Sequence, residues 1–198
     1  MGYLSRERLE AMGFASLGQD VLISEKASIY GAERIALGSR VRIDDFCLLS
    51  AGKGGITIGS NVHIAAFCSL LGQGEIVMED FSGLACRVSV YSSSDDYSGD
   101  ALTNPTVPAR FTNVTAAPVR IGRHVIVGSS SVVLPGSVLL EGCSVGALSL
   151  VKGSFGPWEI VAGQPARVIR QRRRGLLERE RAYLAFLADE GADERAAP

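Results

Sequence analysis

Three observations predict an all-β protein built as a parallel β-helix. Aliphatic residues recur every six positions, from Ile121 through Val127, Val133, Leu139 and Val145 to Val151. Glycine is abundant, at 23 of 198 residues, while aromatics make up only 7%. That balance suits many tight turns between thin, regular layers. Between the periodic stretches lie polar inserts such as Ala51-Gly52-Lys53-Gly54-Gly55. A period of six fits neither a helix, at 3.6, nor a simple strand, at two. It fits short strands that turn a corner every six residues, each with its aliphatic side chain pointing inward. Several turns must stack before such a chain has a continuous core. Spacing alone leaves the handedness open.

The elements follow in order along one domain, residues 1–198. Residues 5–12, SRERLEAM, read as a short helix with Ser5 as N-cap. Leu4 and Leu9 stand where a hydrophobic staple places them. The first coil segment, 21–90, carries Ile23, Ile29 and Ile35, then Leu37, Ile43 and Leu49 after a two-residue phase step. Ile58, Ile64 and Leu70 follow, then Met78, Leu84 and Val90. Residues 91–118 are a long loop insertion rich in Ser, Thr, Asn, Asp and Pro. A long loop that interrupts a rigid coil is a place to look for function. The coil resumes over 119–152. There small or β-branched residues (Val125, Ser131, Ser137, Cys143, Ser149) stand four positions after each aliphatic. Residues 167–190 read as a charged C-terminal helix with a stripe of Leu176, Leu177, Tyr183, Leu184 and Leu187. The tail 191–198, GADERAAP, is expected to be disordered.

Composition excludes several function classes. Twenty basic residues against 21 acidic ones leave a net charge of −1, which argues against nucleic-acid binding by bulk charge. No apolar run approaches the ~18 residues of a membrane span. The start, MGYLSRERLEAMGF, lacks the apolar core of a signal peptide. Cys47, Cys68, Cys86 and Cys143 form no CxxC pair, which reads as reduced thiols in a cytoplasmic protein. With only His63 and His124, a three-histidine metal site is not expected. Cys47, Cys68 and Cys143 fall at small positions of the coil and read as packing thiols. His63, between Val62 and Ile64, is expected to point outward.

The stretch IGRHVIVGSSSVVLPGSVLLEGCSVGALSLV, followed by IVAGQPARVIR, resembles the coenzyme A end of the hexapeptide-repeat acyltransferases. That resemblance covers nearly the whole chain and implies a left-handed parallel β-helix. It also implies acetyl-CoA as co-substrate, no metal, and a homotrimer with active sites between subunits. LSRERLEAMGF and YSSSDDYSGDALTNPTVP most resemble the nucleotide-amino-sugar N-acetyltransferases, in particular those acting on dTDP-4-amino-4,6-dideoxyglucose. The implied function is N-acetylation of a nucleotide-linked amino-deoxysugar, expected to be dTDP-linked, for surface polysaccharides such as the lipopolysaccharide O-antigen. Lys152, Arg167 and Arg170 match positions that contact coenzyme A in the resembling enzymes, and Arg suits phosphate. Ser129 and Ala147 match backbone contacts along the pantetheine arm, while Gly163 and Pro165 shape the AGQPA loop.

One departure bears on the acceptor. Resembling sugar O-acetyltransferases carry a catalytic histidine in the insertion, and LACRVSVYSSSDD puts Asp95 there. A hydroxyl needs a base near neutrality, which histidine supplies and an ordinary carboxylate, near ~3.9, does not. An amine attacks in its neutral form, so a carboxylate that holds and orients it suffices. The candidate catalytic residues are therefore Asp95, Asp96 and His124. Candidate substrate contacts are Ser93, Ser94, Tyr97 and His63. Two alternatives are an O-acetyltransferase acting on a sugar or an antibiotic, and a non-catalytic β-helix scaffold.

Overall fold

The computed structural model describes residues 2–196. The chain winds as a β-solenoid of triangular section with three parallel sheets as its sides. In the first sheet, Ile35–Leu37, Ile56–Ile58, Ile76–Met78 and Val119–Ile121 stack in sequence order, with Ser16–Leu17 before them and Val138–Leu139 and Ser154–Phe155 after. The second runs from Leu22–Ile23 through Arg42–Ile43, His63–Ile64, Gly83–Leu84, Ile126–Val127 and Ser144–Val145 to Glu159–Gly163. The third stacks Ser28–Tyr30, Leu48–Ala51, Ser69–Gly72, Ser89–Tyr91, Val132–Val133 and Leu150–Val151. Register sets like beside like: Val127 lies beside Val145, and Val133 beside Val151.

The six-residue period is the inward column of each sheet. Ile23, Ile43, Ile64, Leu84, Val127 and Val145 form one buried ladder, and Leu49, Leu70, Val90, Val133 and Val151 another. Of the periodic residues only Ile29 is partly exposed. Corners are made in the left-handed backbone region. Between the first and second sheets the turn is taken by Arg40, Asn61, Phe81 and His124, at φ near +60°, and then by Gly142 at φ +70°. Only glycine fits at that last position, because a Cβ would fall 2.4 Å from the ring of Trp158.

Helix α1, Arg6–Ala11, closes the N-terminal end. Its N-cap Ser5 accepts from the Arg8 amide, and Leu9 and Leu4 pack onto the end of the core. Between Tyr91 and Val119 the insertion leaves the coil through a two-residue antiparallel pair, Ser93–Ser94 with Thr115–Ala116.

The C-terminal expectation needs correction. The coil does not stop at 152 but adds Ser154–Phe155 and Glu159–Gly163. Residues Ala166–Gln171 are not helical. They fold back as a strand antiparallel to Glu159–Gly163, after a reversal at Gly163 (φ +107°). The arginines of ARVIRQ suggested a helix, but Val168 and Ile169 are β-branched and the preceding strand offers an unpaired edge. Helix α2 begins at Leu176 and runs to Ala196. The expected disorder of the tail is thus not met through Ala196, and Ala197 and Pro198 lie outside the described residues.

Candidate active site

A groove of about 790 Å³ crosses the outer face of the second sheet. Ala65, Gly83, Ala85 and Ile126 make a largely apolar floor. At one side stands the corner with Cys86 and Ser129; at the other, Phe81 and His124 rise beneath α2. A Cβ at Gly83 would meet nothing nearer than the His63 carbonyl, at 3.5 Å, so the absent side chain leaves room in the floor.

Helix α2 is held over this groove by ionic and aromatic contacts. The Glu180 side chain is 9% exposed, accepts from Arg123, and sits 3.0 Å from His124 Nε2. Burial alone would raise its pKa, but hydrogen bonds from Arg123 and His124 outweigh burial and hold it below the usual carboxylate range. Tyr183 donates to Asn61 Oδ1 at 2.9 Å and meets the Phe81 ring edge-on. Arg172 donates to the carbonyls of His124 (2.8 Å) and Gly142 (3.0 Å).

His63 stands at the N-terminal end of the groove with its side chain 52% exposed. Its Nε2 lies 2.8 Å from Oδ2 of Asp44, a carboxylate only 9% exposed. Arg42 Nε donates to the other oxygen at 2.7 Å. Burial works to raise the Asp44 pKa, yet the His63 and Arg42 hydrogen bonds prevail and lower it.

The structure gathers some of the sequence-derived candidates and separates others. His63, His124 and Ser129 share the groove. Asp95, Asp96, Ser93, Ser94 and Tyr97 do not line it; they lie at the root of the insertion. The Asp95 carboxylate makes no hydrogen bond or ion pair among the described residues. Asp96 instead closes a turn, accepting from the amides of Ser98 (2.9 Å), Asp100 (3.1 Å) and Ala101 (2.9 Å) and from the Ser98 hydroxyl (3.0 Å). Those amide and hydroxyl bonds lower its pKa. Tyr97 is 92% exposed, and Ser93 Oγ accepts from the Gln73 amide at 3.3 Å.

Lys152, Arg167 and Arg170 are exposed at the C-terminal end. Arg170 joins Arg172 and Arg173 around a second hollow of about 430 Å³. The Ser129 carbonyl accepts from the Leu148 amide on the next turn, beside Ala147. Gly163 donates to Ser149 Oγ at 3.2 Å, and Gln164 Nε2 to the Leu148 carbonyl at 2.8 Å, tying the AGQPA loop to the same corner. Cys47, Cys68 and Cys143 are buried, and burial pushes the Cys143 thiol up to about 11.

Sequence reasoning missed Asp44, Arg42 and the α2 residues Glu180 and Tyr183. For Asp44 a signal was present. Aligning Ile43 with Ile64 sets Arg42 beside His63 and brings Asp44 within reach of the ring.

No family model matches the chain. It is 46% identical over 183 residues to the dTDP-4-amino-4,6-dideoxy-D-glucose acyltransferase of Escherichia coli, covering 92% of this chain and 95% of that one. AntD, an N-acyltransferase from Bacillus cereus solved with dTDP and 3-hydroxybutyryl-CoA, is 45% identical with a TM-score of 0.88, over 94% of this chain and 98% of that one. A serine-to-cysteine variant of AntD, bound to dTDP-4-amino-4,6-dideoxyglucose and coenzyme A, superposes with a TM-score of 0.87 at 46% identity, over 92% and 97% of the two chains. Fold and kinship together define an enzyme, an acyltransferase of the β-solenoid class. Within that class the chain belongs to the dTDP-amino-sugar N-acyltransferase family.

Proposed function

We propose that the protein transfers an acetyl group from acetyl-CoA to the amine of dTDP-4-amino-4,6-dideoxyglucose. Kinship with two acyltransferases of dTDP-linked amino sugars along nearly the whole chain carries this reading. The insertion, which holds no histidine, supports an amine over a hydroxyl acceptor. In the proposed ternary complex the neutral amine attacks the thioester carbonyl, the carbon–sulfur bond breaks, and coenzyme A leaves as the thiol after taking up a proton. Asp95 holds the incoming ammonium group, which releases one proton to solvent, and orients the resulting amine. Asp96 shapes the turn that presents Asp95, and Ser93, Ser94 and Tyr97 border the sugar. His63 faces the sugar in the groove, and His124 completes the groove wall through Glu180.

Lys152, Arg167 and Arg170 take the coenzyme phosphates, for which the hollow around Arg170 offers a cationic lining. Ser129 and Ala147 run along the pantetheine arm, and Gly163 shapes the loop beside it. The working unit is a homotrimer. Two features support it: Asp95 lies outside the groove of its own chain, and the insertion exposes Tyr97, Leu102, Phe111 and Val114, apolar surface suited to a neighbouring copy. The product enters cytoplasmic synthesis of surface polysaccharide such as lipopolysaccharide O-antigen. Among the described residues no helix is long and apolar enough to cross a membrane.

The test is thiol release from acetyl-CoA with dTDP-4-amino-4,6-dideoxyglucose. Parallel reactions use dTDP sugars that carry only hydroxyls, and 3-hydroxybutyryl-CoA as donor. Turnover that requires the amine supports the reading. Turnover of the hydroxyl sugars alone contradicts it.

A further inference from the structure

We infer that His63, oriented by Asp44, is the proton acceptor of the acyl transfer. This rests on the amine-acylation reading above and adds the group that takes the proton from nitrogen. Asp44 is buried, and Arg42 together with His63 keeps it ionised, so it can only accept hydrogen bonds. The ring nitrogen 2.8 Å away, Nε2, therefore carries the hydrogen. The lone pair is left on Nδ1, the nitrogen not bonded to Asp44, and it is the atom that takes the proton. The ring is tethered to Asp44, which is itself held by Arg42, two residues before it on the same turn.

The surroundings fit that role. His63 lies in the large groove with half its side chain open, and Gly83, its neighbour on the next turn, leaves a space beside the ring. His124, by contrast, is buried with its Nε2 turned to Glu180 beneath α2. The charged and titratable groups around His63 are Asp44 and Arg42 on its own sheet and Cys86 farther along the groove. From the C-terminal segment come Arg172, Arg179, Glu180 and Tyr183, and from the corner His124. Asp44 bonds to the His63 ring.

The step balances within the proposed acyl transfer. As the nitrogen–carbon bond forms, Nδ1 takes one proton from nitrogen. The carbon–sulfur bond then breaks, and the imidazolium returns that proton to the leaving thiolate. Asp95 of a neighbouring copy holds the amine, and His63 moves the proton. No further reactant is needed.

The experiment compares the parent enzyme with His63→Gln and Asp44→Asn, using dTDP-4-amino-4,6-dideoxyglucose and acetyl-CoA across pH 5.5–9. His63→Gln should lower kcat by about 10²–10⁴-fold, the usual worth of a positioned base, with both KM values within about threefold. The acid limb of the parent kcat profile should vanish with it. Asp44→Asn, which removes the charge that sets the tautomer, should lower kcat and move that limb while His63 remains. Circular dichroism melts confirm folding, and nitrogen chemical shifts of His63 in the unliganded parent should report the Nε2–H tautomer. An active parent whose His63→Gln form keeps kcat within about twofold and retains the limb overturns this assignment alone. A parent silent with acetyl-CoA and 3-hydroxybutyryl-CoA alike overturns the functional reading and this assignment together.

Discussion

Two adjacent carboxylates in the insertion show how much a single residue's surroundings decide. Asp95 and Asp96 are alike in sequence, yet Asp96 is engaged by three amides and a hydroxyl while the Asp95 carboxylate has no partner among the described residues. Asp95→Asn is therefore expected to lower kcat/KM by at least about tenfold, through lost orientation of the amine. The deficit should shrink as pH rises and more of the free amine is neutral; steady-state rates across pH check it. Asp96→Ala should loosen the turn first, seen as faster proteolysis of the insertion, with a smaller loss in rate. At the coenzyme end, joint replacement of Arg167 and Arg170 by Gln should raise the KM for acetyl-CoA roughly ten- to hundredfold. A charged phosphate hydrogen bond is worth about 1.5–3 kcal/mol. An unchanged KM would remove both from the site. At this scale the sequence singled out the insertion and AGQPA from local motifs, although the insertion residues stand outside the groove. It was silent on Glu180, whose partners Arg123 and His124 lie far away in the chain and meet it only through folding.

Helix α2 is the element whose attachment is most sensitive to conditions. The Glu180 pKa is lowered by folding, so its ionised form stabilises the docked helix above the unfolded value, near ~4.3. That contribution is lost as pH falls below ~4.3 and through the folded value. Hydrogen exchange in α2 should rise there before exchange in the inward strands such as His63–Ile64. Glu180→Gln should bring the same loosening to neutral pH. Equal protection of helix and coil at pH 4 and 7 would show that the Arg123 and His124 contacts are not what hold it. The apolar stripe correctly announced a helix but not its start. Pattern reading ran it back to residue 167, because charged residues in ARVIRQ mask a strand whose pairing partner, Glu159–Gly163, closes the coil.

The molecule as a whole is a stack of turns that share one continuous core, so each inward position supports the turns on both sides. Ile64→Ala, at a fully buried rung between Ile43 and Leu84, should destabilise the fold by about 2–5 kcal/mol in denaturant unfolding. The fold was readable because the period is repeated many times and each repeat is buried for the same reason. The site was readable only in part, because the groove depends on which outward residues of successive turns come side by side. The same logic extends to assembly: sedimentation should give a homotrimer, and a fully active monomer would contradict a site shared between chains. The most direct test of the central claim is the mass of the product formed from acetyl-CoA and dTDP-4-amino-4,6-dideoxyglucose, followed by alkaline treatment. An amide is predicted, so the added acetyl group should survive mild base and no primary amine should remain. A base-labile ester with the amine intact, or no product at all, would contradict the account.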